Sequence, residues 1–299
     1  MKLPQDPIFI VGYPRSGTTL LQRLLVTQPG IFSFPETHYF CVIEKQLKYD
    51  RAGNILPSCL DKVFEKILEK MELRFSQEQE GIIRHSVEEK TLTSKDFFEM
   101  IVTRLLLDLN PAIEQMTSPS FRWLEKTPNH AHFLEHIVQL YPRAQALHIL
   151  RHPVPAIFSR KLKFPFNQET PLTELARRWN RMLTDVEQFK TKFPAHILTL
   201  RYEDLLIQLE NEYKKITAFL GIPFDLNSLS QLNEQNEKPT AGFILPSETW
   251  KLEDARRNMT NTNDAYKSKF SGQDVADIEA IVGENMKKYG YEPYAGIDN

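Results

Sequence analysis

Cysteine is almost missing from this sequence: among 299 residues only Cys41 and Cys59 occur. Two cysteines cannot build a disulfide framework, and their separation matches no metal-ligand spacing. The natural expectation is a chain of the reduced cytoplasm that requires no metal. An excess of charge is missing as well. The formal net charge is −2, which removes any whole-protein argument for nucleic acid, while a local basic cleft for a small anion stays open. Long hydrophobic runs are also absent. The apolar stretch ahead of Gly12 spans about five residues, far short of a signal sequence or a membrane span, so membrane-anchored and lumenal placements are disfavoured. No repeat, low-complexity tract or long linker appears, and one compact domain is the simplest organisation at this length.

What is present is a regular alternation. Four apolar runs read as buried strands: Ile8 to Val11, Phe121 to Leu124, Ala146 to Leu150 and His196 to Leu200. Helical periodicity follows each. The spacing predicts helices over Cys59–Leu73 and Ser94–Leu109, where Phe97, Ile101 and Leu105 recur every four residues. Asn129 is a candidate cap for another, with Phe133, Ile137 and Leu140 facing inward. Further helices are expected near Leu172–Phe189, Asn211–Leu220 ended by Gly221, and Asp274–Tyr289 before Gly290. Strands alternating with helices imply an α/β fold, a single domain with a central parallel sheet flanked by helices.

The sharpest feature is the segment Ile8 to Leu21. A buried strand runs into a turn carrying Gly12, Pro14 and Gly17, then into a helix that opens on Thr18 and Thr19. Glycines let the backbone approach a phosphate closely, and the unpaired N–H groups and dipole of the helix start favour its charge. The distance from Gly12 to Gly17 fits the frame of a Walker A loop, but Thr18 stands where that loop has its lysine, and the cation is Arg15 instead. Gly-rich strand-to-helix turns also serve as packing devices.

Taken together these residues resemble the PAPS-dependent sulfotransferase superfamily, whose 5′-phosphosulfate loop is matched by Arg15-Ser16-Gly17-Thr18-Thr19. A second element of that family, an Arg at a strand end followed eight residues on by Ser, is matched by Arg151 and Ser159; the resemblance implies that they bind the 3′-phosphate. A guanidinium and a hydroxyl at a carboxyl sheet edge suit that ligand. Tyr202 in LRYEDL resembles the family tyrosine near the adenine, and Tyr266-Lys267-Ser-Lys-Phe270 resembles a donor-binding stretch before the last helix. The Arg-Lys-Gly cluster of animal cytosolic members is missing. In motif pattern the chain is most similar to the tyrosylprotein and heparan type and to bacterial small-molecule sulfotransferases. The resemblance implies a P-loop-like sulfotransferase fold over residues 1–299, with acceptor-binding helical insertions near 47–120 and 226–263.

The same resemblance assigns the chemistry. Lys126, in Trp123-Leu-Glu-Lys-Thr-Pro, is similar to the catalytic lysine segment of that type, and with Arg15 it would face the leaving phosphate oxygens. Glu36 follows Arg15 by 21 residues, the family's spacing for a catalytic glutamate, and burial beside Phe34 and Tyr39 would raise its pKa toward that of a base. His130, four residues after Lys126, is the competing base or an acceptor contact. His38 and His152 are read as orienting neighbours.

The implied activity is in-line transfer of a sulfuryl group from 3′-phosphoadenosine 5′-phosphosulfate (PAPS) to a hydroxyl or amine of a small-molecule or carrier-bound acceptor. With no anchor in evidence, secreted protein tyrosines and glycans are the less expected acceptors. Phe34, Tyr39, Phe164 and Phe166 are candidates for the pocket wall. Two alternatives stand beside this reading. A P-loop kinase or NTPase would need Mg²⁺ and an acidic residue after a later strand, whereas the strands end in Lys126, Arg151 and Arg201. A non-catalytic nucleotide-binding protein would have no use for Glu36 and Lys126.

Overall fold

Ile8, Phe9, Ile10 and Val11 form strand β1 and are buried on both sides. A parallel strand covered by helices on each face requires such a continuous apolar run. The computed structural model of the chain describes residues 3–115, 121–224 and 269–294. There β1 lies in the middle of a five-stranded sheet, with β2 (Ile31–Ser33), β3 (Arg122–Lys126), β4 (Gln145–Leu150) and β5 (Ile197–Arg201). The spatial order is β2-β3-β1-β4-β5 and every pairing is parallel.

The alternation of β1 side chains divides the core into two layers. Phe9 and Val11 pack with residues of α2 (Leu60–Met71), α3 (Gln77–Glu88), α4 (Ser94–Leu109), α5 (Leu134–Leu140), α6 (Pro153–Lys163), α7 (Leu172–Lys192) and α10 (Gly272–Lys288). Ile8 and Ile10 pack instead with α1 (Thr18–Val26), α8 (Tyr202–Ile207) and α9 (Leu209–Leu220). Trp123 on β3 anchors the first layer, meeting Phe9 at 5.7 Å, Phe98 at 5.9 Å and Tyr141 at 5.5 Å between ring centroids. Burying one such side chain contributes about 1.5–3 kcal/mol.

The connection leaving the carboxyl end of β1 runs toward β2 on one side of the sheet order, whereas the one leaving β4 runs toward β5 on the other, so the two diverge between β1 and β4. That divergence opens the crevice in which parallel α/β sheets bind ligands. Lys126 pairs with Ile10 at this edge, and Arg151 follows the last residue of β4.

Several elements depart from the sequence expectation. β2 is only three residues long, too short for periodicity to reveal. β3 and β5 begin and end one or two residues later than the apolar runs suggest, because Glu125, Lys126 and Arg201 continue the ladder as polar residues. α3 buries just Ile83 and Val87; its start is fixed by a capping box in which Ser76 and Gln79 exchange side-chain and backbone hydrogen bonds. Asn129 does not cap α5. It lies inside a 3₁₀ turn, Pro128–Phe133, whose first residue is a proline with φ fixed for helix entry. The expected insertion near 47–120 folds, over its described part, mainly as α2, α3 and α4. The one near 226–263, like Tyr266 and Lys267, lies outside the described residues.

Candidate active site

The loop between β1 and α1 is closely packed from below. Gly12 has φ +152°, and a Cβ there would sit 2.4 Å from the Ile149 carbonyl oxygen; Gly17 has φ +98°, and its Cβ would meet the Tyr202 ring at 2.5 Å. Only glycine fits both places. Between them Arg15 adopts φ +78°, a left-handed conformation that costs a non-glycine residue energy and clusters at functional sites. Ser16 donates its N–H to the Tyr13 carbonyl at 3.1 Å. Its hydroxyl is fully buried and has no hydrogen-bond partner. An orphaned hydroxyl at the start of a helix suits an anion's oxygen.

Arg15, Arg151, Ser159 and Tyr202 come together here. Arg15 Nε donates to Ser159 Oγ at 2.9 Å, and Arg151 Nη1 donates to the Arg15 carbonyl at 2.9 Å. The Arg151 guanidinium lies over the Tyr202 ring, 4.7 Å from its centroid. The loop and the Arg-Ser pair therefore share one cleft. His152, next in the chain, accepts the Val154 N–H and so caps α6, while its Nε2 meets the Glu292 carbonyl at 3.0 Å.

Glu36 and Lys126 form the second cluster. Lys126 Nζ donates to Glu36 Oε1 at 2.5 Å, and both residues are buried. Glu36 Oε2 also faces His38 Nε2 at 3.5 Å. What aligns this pair is a residue the sequence reading passed over. Glu125, fully buried beside Lys126, accepts from Thr37 Oγ1 (2.9 Å), Thr37 N (3.3 Å), Thr127 Oγ1 (2.6 Å) and Thr127 N (3.0 Å). One carboxylate thus ties the residue after Glu36 to the residue after Lys126. Its signal in the sequence was an acid directly after the apolar run Phe121–Leu124, where a buried carboxylate needs partners.

His130 completes the knot, with Nδ1 2.9 Å from Glu125 Oε2 and no exposed surface. Burial works to lower the imidazole's pKa, but the Glu125 charge and the Cys41 thiol overcome it and raise the group to about 9. For Glu125 burial pushes the other way, and the His130 charge with the threonine hydroxyls holds it below the usual carboxylate range.

The wall expected from aromatics is built otherwise. Phe34 and Tyr39 are fully buried core residues, the Tyr39 hydroxyl donating to the Ser94 carbonyl at 2.7 Å. Phe166 is 73% exposed. A cavity of about 370 Å³ is lined instead by Cys41, Lys45, Asn129, Arg160, Arg178 and Arg181, with His132, Phe133 and Met182. Cys41, Asn129 and Arg160 follow Glu36, Lys126 and Ser159 closely in the chain, Arg178 and Arg181 come from α7, and four of the lining residues are cationic. Sequence reading missed them because they come from four separated segments.

Among the described residues no group of three His, Cys, Asp or Glu side chains is placed to hold a metal ion, and no helix is long and apolar enough to cross a membrane.

Comparison with known proteins bears on this geometry. The model of a family described as "Sulfotransferase family" matches residues 7–226. The chain is 24% identical over 298 residues to a protein-tyrosine sulfotransferase of Drosophila melanogaster, covering 96% of this chain and 52% of the relative, so it spans about half that protein's length. Among solved structures it is similar to the sulfotransferase domain of the Synechococcus PCC 7002 olefin synthase, with TM-score 0.59, 20% identity, 98% of this chain and 97% of that one. A mouse sulfotransferase complexed with PAP gives TM-score 0.54, 16% identity, 96% of this chain and 86% of that one. These two likenesses establish the fold.

Proposed function

The chain belongs to the sulfotransferase family, and from that premise we propose that it moves a sulfuryl group from PAPS to a hydroxyl of an acceptor bound beside Glu36. The observation that carries this reading is that Arg15 bonds both members of the Arg-Ser pair, donating to Ser159 and accepting from Arg151 at its carbonyl, which unites the loop and the strand-end arginine in one cleft. The similar mouse sulfotransferase is complexed with PAP, which supports an adenosine bisphosphate as the ligand of such a cleft. The orphaned Ser16 hydroxyl and the two obligatory glycines fit a phosphate group.

In this reading Ser16, Thr18, Thr19 and the N–H groups around Gly17 hold the 5′ end of the donor. Arg151 and Ser159 hold the 3′-phosphate, and Tyr202 supports the Arg151 guanidinium from below. The donor supplies an activated sulfuryl group attached to a phosphate leaving oxygen. Arg15 and Lys126 face the negative charge that grows on that oxygen in a loose, in-line transfer. Glu36 takes the acceptor's proton. The Lys126 bond orients its carboxylate, and Glu125 keeps both residues in register through Thr37 and Thr127. His130, the alternative base, has Nδ1 engaged by Glu125 and no exposed surface, which favours Glu36.

For the acceptor we propose a hydroxyl compound that carries negative charge near the reacting group. Lys45, Arg160, Arg178 and Arg181 around the cavity support this. The relative named a protein-tyrosine sulfotransferase favours a peptide tyrosine among acidic residues. A cavity of about 370 Å³ also suits a small anionic alcohol or a phosphate-linked carrier arm. The expectation against protein tyrosines rested on the lack of an anchor, which carries no weight in a chain half the length of that relative.

Incubation with ³⁵S-labelled PAPS and matched acidic and neutral acceptors, alongside calorimetry with 3′,5′-adenosine bisphosphate, tests the proposal. Label transfer with micromolar nucleotide binding is the expected result. Binding with no transfer to any acceptor would make the chain a nucleotide-binding protein only, and Mg²⁺-dependent ATP binding would make it a kinase or NTPase.

A further inference from the structure

Cys41 stands at the meeting point of two features described above. It is partly exposed and lines the cationic cavity, and it sits on the network that begins at Glu125. The His130 ring has Nδ1 on Glu125, while its Nε2 is buried and without a hydrogen-bond partner. On the other flank lies His38, held at φ +50°, whose Nε2 reaches Glu36 at 3.5 Å. The thiol itself contacts the His38 carbonyl at 3.5 Å. A cysteine between two imidazoles, one backed by a buried carboxylate, has the surroundings of an activated nucleophile.

We propose that Cys41 is a nucleophilic thiol that exchanges with small anionic disulfides drawn into the cavity it lines. The Cys41 thiolate attacks one sulfur of the disulfide; a new sulfur–sulfur bond forms as the old one breaks, and the other half leaves as a thiolate with the electron pair. The cysteine sulfur is oxidised and the leaving sulfur reduced, so no further oxidant is needed. Lys45, Arg160 and Arg181 confer the charge preference by concentrating anions at the sulfur. The carboxylates nearby are already engaged: Glu36 by Lys126, Glu125 by His130, Glu174 by Arg178 and Asp185 by His132.

The electrostatics agree with the geometry. Burial raises the Cys41 pKa, but His130 foremost and His38 after it bring it down to about 7. Cys59 differs in every respect: it is buried, donates to the Leu56 carbonyl at 3.0 Å and accepts the Lys48 N–H at 3.4 Å. The exchange stands without any assumption about turnover. That an adduct would fill the acceptor's place rests on the sulfuryl-transfer reading above.

The test labels the full chain with 5,5′-dithiobis(2-nitrobenzoate), a dianion, and with neutral 4,4′-dithiodipyridine, using N-acetylcysteine as reference thiol. One thiol per chain should react rapidly, with a rate midpoint near pH 7 against about 8.5 for an ordinary thiol. The ratio of dianion to neutral rates should exceed the reference ratio by about tenfold or more and shrink in high salt. Cys41→Ser should remove the fast phase, and the surface pair Lys45→Gln with Arg181→Gln should depress only the dianion rate. A fast phase that survives Cys41→Ser, a midpoint at the ordinary value, or equal rate ratios for protein and reference would each overturn the proposal. Because labelling is read without turnover, its failure leaves the sulfuryl-transfer reading untouched. Conversely, full labelling of a chain that transfers no sulfate sinks that reading alone.

Discussion

Lys126 Nζ lies 2.5 Å from Glu36 Oε1, and the two residues arrive there from the ends of neighbouring strands, β3 and β2. Neither side chain has appreciable contact with solvent. A buried charge pair costs several kcal/mol of desolvation per ion and persists when geometry compensates it or function requires it. The compensation here is visible in the Glu125 network, and the requirement is the base proposed above.

Glu36→Gln keeps an oxygen for Lys126 and removes the base. Turnover is expected to fall by about a hundredfold or more, with affinity for 3′,5′-adenosine bisphosphate within about threefold of wild type by calorimetry. Unchanged turnover in Glu36→Gln, together with its loss in His130→Ala, would transfer the role of base to His130.

Arg151 grips the loop carbonyl and stacks on Tyr202, a geometry a lysine cannot reproduce. Arg151→Lys should weaken 3′,5′-adenosine bisphosphate by about 10- to 100-fold, the range of a lost charged hydrogen bond. Affinity for 5′-AMP, which lacks the 3′-phosphate, should hardly change. Equal losses for both nucleotides would place Arg151 elsewhere than at the 3′ end.

Gly17→Ala would drive a methyl into the Tyr202 ring and impose φ +98° on an L-residue. Because an aromatic ring can shift, the expected result is a folded chain with nucleotide affinity reduced at least about tenfold. Gly12→Ala instead meets the backbone oxygen of Ile149, which cannot move aside. Its melting temperature should drop by more than that of Gly17→Ala.

Arg181→Glu reverses one charge of the cavity wall. It should lower kcat/KM for an acidic acceptor by about tenfold or more while leaving a neutral phenol of similar size within about threefold. Parallel losses for both would show that the wall serves packing rather than charge selection.

His148, buried in β4 beside Thr199, is pushed down to about 4 by burial. A histidine with a depressed folded pKa contributes stability that is complete above its unfolded pKa of about 6.5 and is lost as pH falls toward the folded value. Melting temperature should decline between about pH 6.5 and pH 4, by an amount equivalent to about 3 kcal/mol at most. His148→Gln should flatten that limb, and an unchanged acid limb would remove His148 as its cause.

The linear order of residues determined a good deal by itself. The unbroken apolar run Ile8–Val11 dictates a strand buried on both faces, and Gly12 and Gly17 dictate a tight strand-to-helix turn, because no side chain fits at either place. Helices with strong repeats, such as Ser94–Leu109 and the one ended by Gly221, are equally local. Local composition holds no signal for contacts made across the sheet edge. Glu125 became the tie between Thr37 and Thr127, and Cys41, Arg160, Arg178 and Arg181 gathered on one cavity, only once parallel pairing of β2, β3, β1 and β4 set their register. Those relationships depend on long-range strand order, which no single segment encodes, and so only the tertiary structure decided them.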